Sequence, residues 1–169
     1  MSDFLVHIEI PKKSAVKYEF DHKTNRLMCD RILHGPMEYF FNYGYFPNTL
    51  SGDGDPLDAL VLCEESLYPC CYINVRIIGA LITEDESGMD EKIISVPVTE
   101  IDPTYKDIHD INQLPKNILQ KIRFFYENYK KLEPNKWIKV LEYVNCDIAL
   151  NIYNESKKTY NKKENKIII

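Results

Sequence analysis

Ser51-Gly52-Asp53-Gly54-Asp55-Pro56-Leu57-Asp58 runs without a break into Ala59-Leu60-Val61-Leu62-Cys63. Two glycines and a proline keep the first part from dispersing its three aspartates along a regular helix. The second part is a short, continuous apolar run, the pattern of a buried strand. The stretch therefore predicts an acidic loop that feeds straight into the core of a strand-rich protein. Like charges this close repel one another, and a hard divalent cation with oxygen ligands is the partner that makes the loop tolerable.

Upstream, Phe4 to Ile10 is apolar with His7 and Glu9 interleaved. Val16-Lys17-Tyr18-Glu19-Phe20 alternates, with Val16, Tyr18 and Phe20 on one face and Lys17 and Glu19 on the other. A third strand is expected from Leu27 to Leu33. Gly35 to Gly54 is rich in Gly, Pro, Asn and aromatic residues, has no helical period, and predicts an extended excursion that ends at the acidic loop. Downstream, Val75 to Thr83 and Ile93 to Val98 read as strands, with Glu84 to Asp90 as the loop between them.

Helix comes late. Pro115 suits a first helical position, and Ile118, Ile122, Phe125 and Tyr129 recur at helical spacing. Pro134 is expected to end that helix, and Trp137 to Tyr143 alternates as a last strand. Asn145 is placed to cap a terminal helix through about Tyr153. The Lys- and Asn-rich stretch from Lys157 to Lys166 predicts a frayed tail, covering about residues 155–169. Strands first and helices afterwards give a mainly β (α+β) class, a barrel or curled sheet with two packed helices.

At 169 residues, with 44% hydrophobic and 28% charged residues, the chain is long enough for one domain with a real core. No linker or repeat divides it. A net charge of −5 argues against nucleic acid as the main partner. Five cysteines without a C-x-x-C pair suit reduced thiols rather than a disulfide framework or a zinc site. The N-terminus has no basic region followed by an apolar run, and no apolar segment approaches the roughly 20 residues of a membrane span. A cytoplasmic protein is the expectation, with no membrane partner.

Three readings of the acidic loop compete. A solvated turn does not ordinarily gather three aspartates and then enter a buried strand. An EF-hand has Glu64 at its twelfth position counted from Asp53, but Asp58 stands at the sixth, where that loop needs Gly. Metal binding for catalysis is the reading that survives. Mg²⁺ takes one or two carboxylates and keeps several waters, so three acids imply more than one ion or a carboxylate left over as a base. Asp85, Glu86 and Asp90 alone would be a solvated hairpin tip; with the first set they complete a polynuclear site. Lys17, Arg31, Lys92, Lys130 and Lys136, with phenols such as Tyr39, Tyr43 and Tyr129, are the groups that would meet an anion. Tyr45 is assigned to packing, and the four histidines show no ligand spacing.

The runs Ile8-Glu9-Ile10-Pro11, Lys17-Tyr18-Glu19, Asp30-Arg31, Asn42-Tyr43-Gly44-Tyr45 and Asp53-Gly54-Asp55-Pro56-Leu57-Asp58 together resemble the soluble family I inorganic pyrophosphatases of bacteria. The likeness continues through Asp85 to Lys92, Tyr129 to Glu133 and Lys136 to Val140, spanning roughly Val6 to Tyr143. It implies a twisted five-stranded β-barrel of OB type with flanking helices, and hydrolysis of diphosphate with several Mg²⁺ ions per site. It also implies a homohexamer. By resemblance Asp53, Asp58, Asp85 and Asp90 are metal ligands, Asp55 is the general base, and Glu9 and Glu19 support the metals. Lys17, Arg31, Tyr43, Lys92, Tyr129 and Lys130 hold phosphate, and Tyr39 is a further phenol of the site. The chain departs from the family pattern at Glu38 and at Phe40, where proline is usual. A nucleoside polyphosphate hydrolase and a metal-binding protein without turnover are the alternatives. The first lacks a base pocket in the sequence, and the second has no use for the cations and phenols.

Overall fold

The computed structural model describes residues 4–167. Eight strands precede or separate two helices: β1 Phe4–Ile10, β2 Val16–Asp21, β3 Arg26–Ile32, β4 Asn42–Tyr45, β5 Asp58–Val61, β6 Tyr72–Asp85, β7 Gly88–Pro97, α1 Lys116–Asn128, β8 Ile138–Asn145 and α2 Cys146–Ile167. Five strands close on themselves in the order β1-β4-β5-β7-β6, and β6 pairs back with β1. Numbered within the ring, this is 1-2-3-5-4-1. The β5–β7 pairing is parallel, while the other four ring pairings are antiparallel. The five-stranded OB-type barrel is thus present, and closure leaves the ring without a free edge. β8 adds to β6 outside the ring, and β2–β3 form a separate hairpin.

Both faces of the ring are covered, which is why Ala59 to Cys63 reads as an unbroken apolar run and Ile93 to Val98 as one interrupted only by the buried Ser95. Ile10, Tyr43, Leu60, Ile78, Leu81 and Ile94 pack with Ile122, Phe125 and Tyr126 of α1. Val6, Ile8, Phe46, Ala59, Val61, Val75, Ile77 and Ile93 form a second cluster that Ala149 of α2 joins. Each large side chain fully buried in this way contributes roughly 1.5–3 kcal/mol.

Several boundaries differ from expectation. β4 lies inside the excursion expected from Gly35 to Gly54; all four of its residues are buried, so it shows no polar face to betray it. β6 runs to Asp85 and β7 starts at Gly88, so the expected loop from Glu84 to Asp90 shrinks to Glu86 and Ser87. Gly88 supplies the positive φ (120°) that so tight a reversal needs. Helix α1 ends at Asn128, well before Pro134, because the chain leaves the helix through a turn in which Lys131 N donates to Asn128 O at 3.1 Å. Asn145 does cap α2, its Oδ1 accepting from Ile148 N at 3.1 Å. The helix then continues past Tyr153 to Ile167, where a frayed tail is the sequence expectation. Lysine is a good helix former. A Glu155–Lys158 pair at 2.6 Å and a bond from Leu50 N to Ser156 O at 3.0 Å support the added turns.

Candidate active site

A cleft of about 480 Å³ opens where the barrel rim meets the β2–β3 hairpin and the end of α1. Its walls carry nine carboxylates (Glu9, Glu19, Asp30, Asp53, Asp55, Asp58, Asp85, Glu86, Asp90) against five cations (Lys17, Arg31, Lys92, Lys130, Lys136), with the phenols Tyr43 and Tyr129. Every residue expected at the site from the sequence lines this cleft except Tyr39. That ring stands behind, 5.8 Å from Tyr43 and 4.8 Å from Phe125.

The strands explain the convergence. Asp58 begins β5 and faces Lys92 of β7 in the parallel register. Asp90 lies two residues before Lys92 on the same side of β7. Lys92 is only 4% exposed; its Nζ reaches Asp58 Oδ2 at 2.6 Å, Asp90 Oδ2 at 2.8 Å and Tyr43 OH at 3.4 Å. Burial alone would lower its pKa, but Asp58 and Asp90 outweigh it and hold the ammonium well above its ordinary range. Across the hairpin tip, Lys130 meets Asp85 at 2.8 Å and Lys136 meets Glu86 at 2.8 Å. Partial burial works against ionisation of Glu86, yet Lys136 and Lys130 hold its pKa down to about 2. On β2 and β3, Lys17 pairs with Glu19 and lies 3.5 Å from Asp30, while Arg31 pairs with Asp30 and with Glu133.

Like the buried Glu9, Asp53 and Asp55 are in no ion pair among the described residues. The loop around them is knitted by its own backbone. Ser51 N donates to Asp55 O at 2.8 Å, Gly54 N to Ser51 O at 3.1 Å, and Asp55 N to Asp53 Oδ1 at 3.0 Å. Gly54 takes φ 95°, a left-handed turn that a side chain would strain. Burial pushes the Asp53 carboxyl above its usual range; the charges of Asp55, Asp58 and Asp90 add to this and the Asp55 N–H opposes it. Tyr43 and Tyr129 are also pushed up by burial, so both phenols stay protonated as donors.

Glu9 is the most perturbed acid. Burial, with Asp58 and Glu19 adding, raises its pKa from 4.5 to about 8, against the opposing Phe20 N–H at 2.7 Å. Such a group destabilises the fold as pH rises. Above about pH 4.5 the unfolded chain releases this proton and the folded protein keeps it until about pH 8. In chelator-treated protein, Glu9→Gln should therefore gain stability relative to wild type between pH 5 and 8. Urea midpoints of the two proteins at those pH values test this, and a gap that does not widen with pH refutes it.

The donor set fits a hard cation. Every spare ligand is an oxygen, the carboxylates outnumber the cations, and two acids beside the rim have no counter-charge of their own. Among the described residues no three His, Cys, Asp or Glu side chains already form a closed cage. The sequence pattern assigns no role to Asp30; its place beside Arg31 is the available signal.

The family model described as inorganic pyrophosphatase matches residues 6–161. The chain belongs to the inorganic pyrophosphatase family. As a member it is a hydrolase of inorganic diphosphate, an activity that requires a divalent metal. The inorganic pyrophosphatase of Nanoarchaeum equitans is 50% identical over 156 residues, covering 92% of this chain and 96% of that protein. Among solved structures, the inorganic pyrophosphatase of Helicobacter pylori superposes with a TM-score of 0.93 at 46% identity, covering 95% of this chain and 94% of that one. That of Thermus thermophilus gives 0.90 at 38% identity, covering 93% and 90%. The pyrophosphatase match extends past Tyr143, where the resemblance read from the sequence ends, into α2.

Proposed function

We propose that the pyrophosphatase cleft works with Mg²⁺, more than one ion per site, with Asp55 as the general base. The observation that carries this reading is the pairing pattern. Asp53 and Asp55 lack ion-pair partners among the described residues, while cations and protonated phenols stand on the facing walls. Asp53, Asp58, Asp85 and Asp90 would hold the ions, with Glu9 and Glu19 behind them. Bound Mg²⁺ supplies Lewis acidity, polarising phosphoryl oxygens and bringing the pKa of a coordinated water towards neutrality.

The chain's own groups do the rest. Asp55 takes a proton from the attacking water as its oxygen bonds to phosphorus. The bridging P–O bond breaks, and the second phosphate departs with its charge spread over Arg31, Lys17 and Lys130. Lys92, Tyr43 and Tyr129 fix the substrate so that attack is in line. Positioning and electrostatics of this kind supply most of the catalysis in phosphoryl transfer. Tyr39 acts from behind, through the packing of Tyr43 and Tyr129.

Residence in the cytoplasm and assembly as a homohexamer belong to the same proposal, supported by the family resemblance. No described helix is long and apolar enough to cross a membrane. Phosphate release from diphosphate and from ATP, with Mg²⁺ and after chelation, tests the reading. Turnover of diphosphate should vanish on chelation, return with Mg²⁺, and exceed turnover of ATP. Diphosphate turnover that survives complete chelation, or a preference for ATP, overturns it.

A further inference from the structure

Glu133 lies in the turn between α1 and β8, three residues beyond Lys130, and its side chain is only 3% exposed. It does not line the cleft. Among the described residues its side chain has one ionic partner: Oε2 stands 2.8 Å from Arg31 Nε, a contact of charge rather than an aligned hydrogen bond. The other oxygen, Oε1, is buried with no hydrogen-bond partner. A carboxylate buried behind a site pays heavily in desolvation, and an apolar side chain of similar volume would pack there at least as well. Its presence calls for a reason other than stability.

Arg31 shows what that reason is. It sits on β3, in the one hairpin that takes no part in the barrel ring. The cleft nevertheless needs the guanidinium in a fixed direction relative to Tyr129 and Lys130 at the end of α1. Glu133 on the Nε side and Asp30 on Nη1 leave Nη2 without a partner among the described residues. A guanidinium is rigid and planar, so contacts at Nε and Nη1 fix the direction of Nη2. Lys17 is the register partner of Arg31, so the same contact ties both cations of the hairpin to the end of α1.

We propose that Glu133 is a positioning residue for diphosphate hydrolysis, turning the free Nη2 of the Arg31 guanidinium towards the substrate phosphate. This rests on Arg31 being a phosphate-holding group. Two effects of removing the charge compete. A neutral residue at position 133 leaves the cleft more positive and would tighten anion binding; a guanidinium that is no longer aimed binds phosphate worse. The sign of the change in KM decides between them.

The test is steady-state kinetics on diphosphate at saturating Mg²⁺ for wild type, Glu133→Gln, Glu133→Asp, Arg31→Ala and the Glu133→Gln/Arg31→Ala pair, with circular dichroism confirming the fold. Glu133→Gln should raise KM about ten-fold, the loss of one charge-assisted contact, with kcat changed less than about three-fold. Glu133→Asp keeps the charge and should recover most of the loss. Without Arg31, Glu133→Gln should add less than about two-fold. A lowered or unchanged KM in folded Glu133→Gln, or the same penalty in the absence of Arg31, overturns the proposal. If Glu133→Gln does not fold, Glu133→Met, apolar and of similar volume, carries the test: a KM no higher than wild type in that folded variant overturns it. Wild type without turnover would instead overturn the diphosphate reading, and phosphate binding by calorimetry to the same proteins would then report on the Arg31–Glu133 contact.

Discussion

Asp55→Asn will lower kcat by roughly 10²- to 10⁴-fold at saturating Mg²⁺, the range expected when a general base is lost. The substitution keeps size and leaves the Asp55 N–H bond to Asp53 Oδ1 in place. It also removes one of the charges that push the Asp53 carboxyl upwards. Two consequences oppose each other. Asp53 ionises more easily and so becomes a better ligand, while the cleft as a whole loses a negative charge and attracts cations less. Saturating metal cancels both, and what remains is the missing proton acceptor. Neither change threatens the fold, because Asp55 is exposed and makes no ion pair among the described residues. The measurement is kcat against pH for both proteins. If the asparagine variant keeps even a third of the wild-type kcat across the profile, Asp55 is not the base.

Gly44→Ala will cost more stability than any substitution on the cleft wall. A Cβ built at Gly44 would lie 1.8 Å from the His7 carbonyl oxygen, 2.8 Å from His7 C and 2.9 Å from Ile8 Cα. All three are backbone atoms of β1, the strand to which β4 is paired with Gly44 opposite Ile8. No rotamer can relieve the clash, so the two strands must part. Overpacking that side chains can absorb costs about 1–3 kcal/mol. Here the strain falls on a ring seam, and at least the upper figure applies. For a chain of this length that is a drop in Tm of roughly 6–12 °C or more. Gly35→Ala is the control, since the nearest atom to its added Cβ is Leu132 Cδ1 at 3.9 Å. A Gly44→Ala protein that melts within about 2 °C of wild type refutes the account.

The acidic loop, the strand-rich first half and the late helices were all legible, because each rests on local pattern. What escaped was non-local. The parallel pairing of β5 with β7 joins segments 34 residues apart at Asp58 and Lys92, and no periodicity announces it. β4 escaped because both its faces are buried, so Asn42 to Tyr45 shows neither alternation nor a long apolar run. Glu84 and Asp90 looked like loop residues for their charge, yet both are in strands, where the facing lysines and the cleft accept them. At the site, the acids could be read from their crowding. Lys92 could not be told from a surface lysine until its burial between Asp58 and Asp90 was seen. Glu133 carries no local signal at all, since its meaning lies in Arg31, on a different element.

The register of β5 against β7 also bears on when this molecule becomes an enzyme as it folds. Asp58 and Asp90 are brought to one side of Lys92 by a seam that exists only once distant stretches of chain have met, and Asp85 arrives with the neighbouring strand of the same seam. The β6–β7 hairpin, which forms early because its contacts are local, holds Asp85, Asp90 and Lys92 but lacks Asp53, Asp55 and Asp58, which come with β5. No fragment contains a working fraction of the site. Catalysis is accordingly all-or-none with respect to closure of the ring, and a partly folded chain in the cell would bind neither metal nor substrate in the geometry that turnover requires.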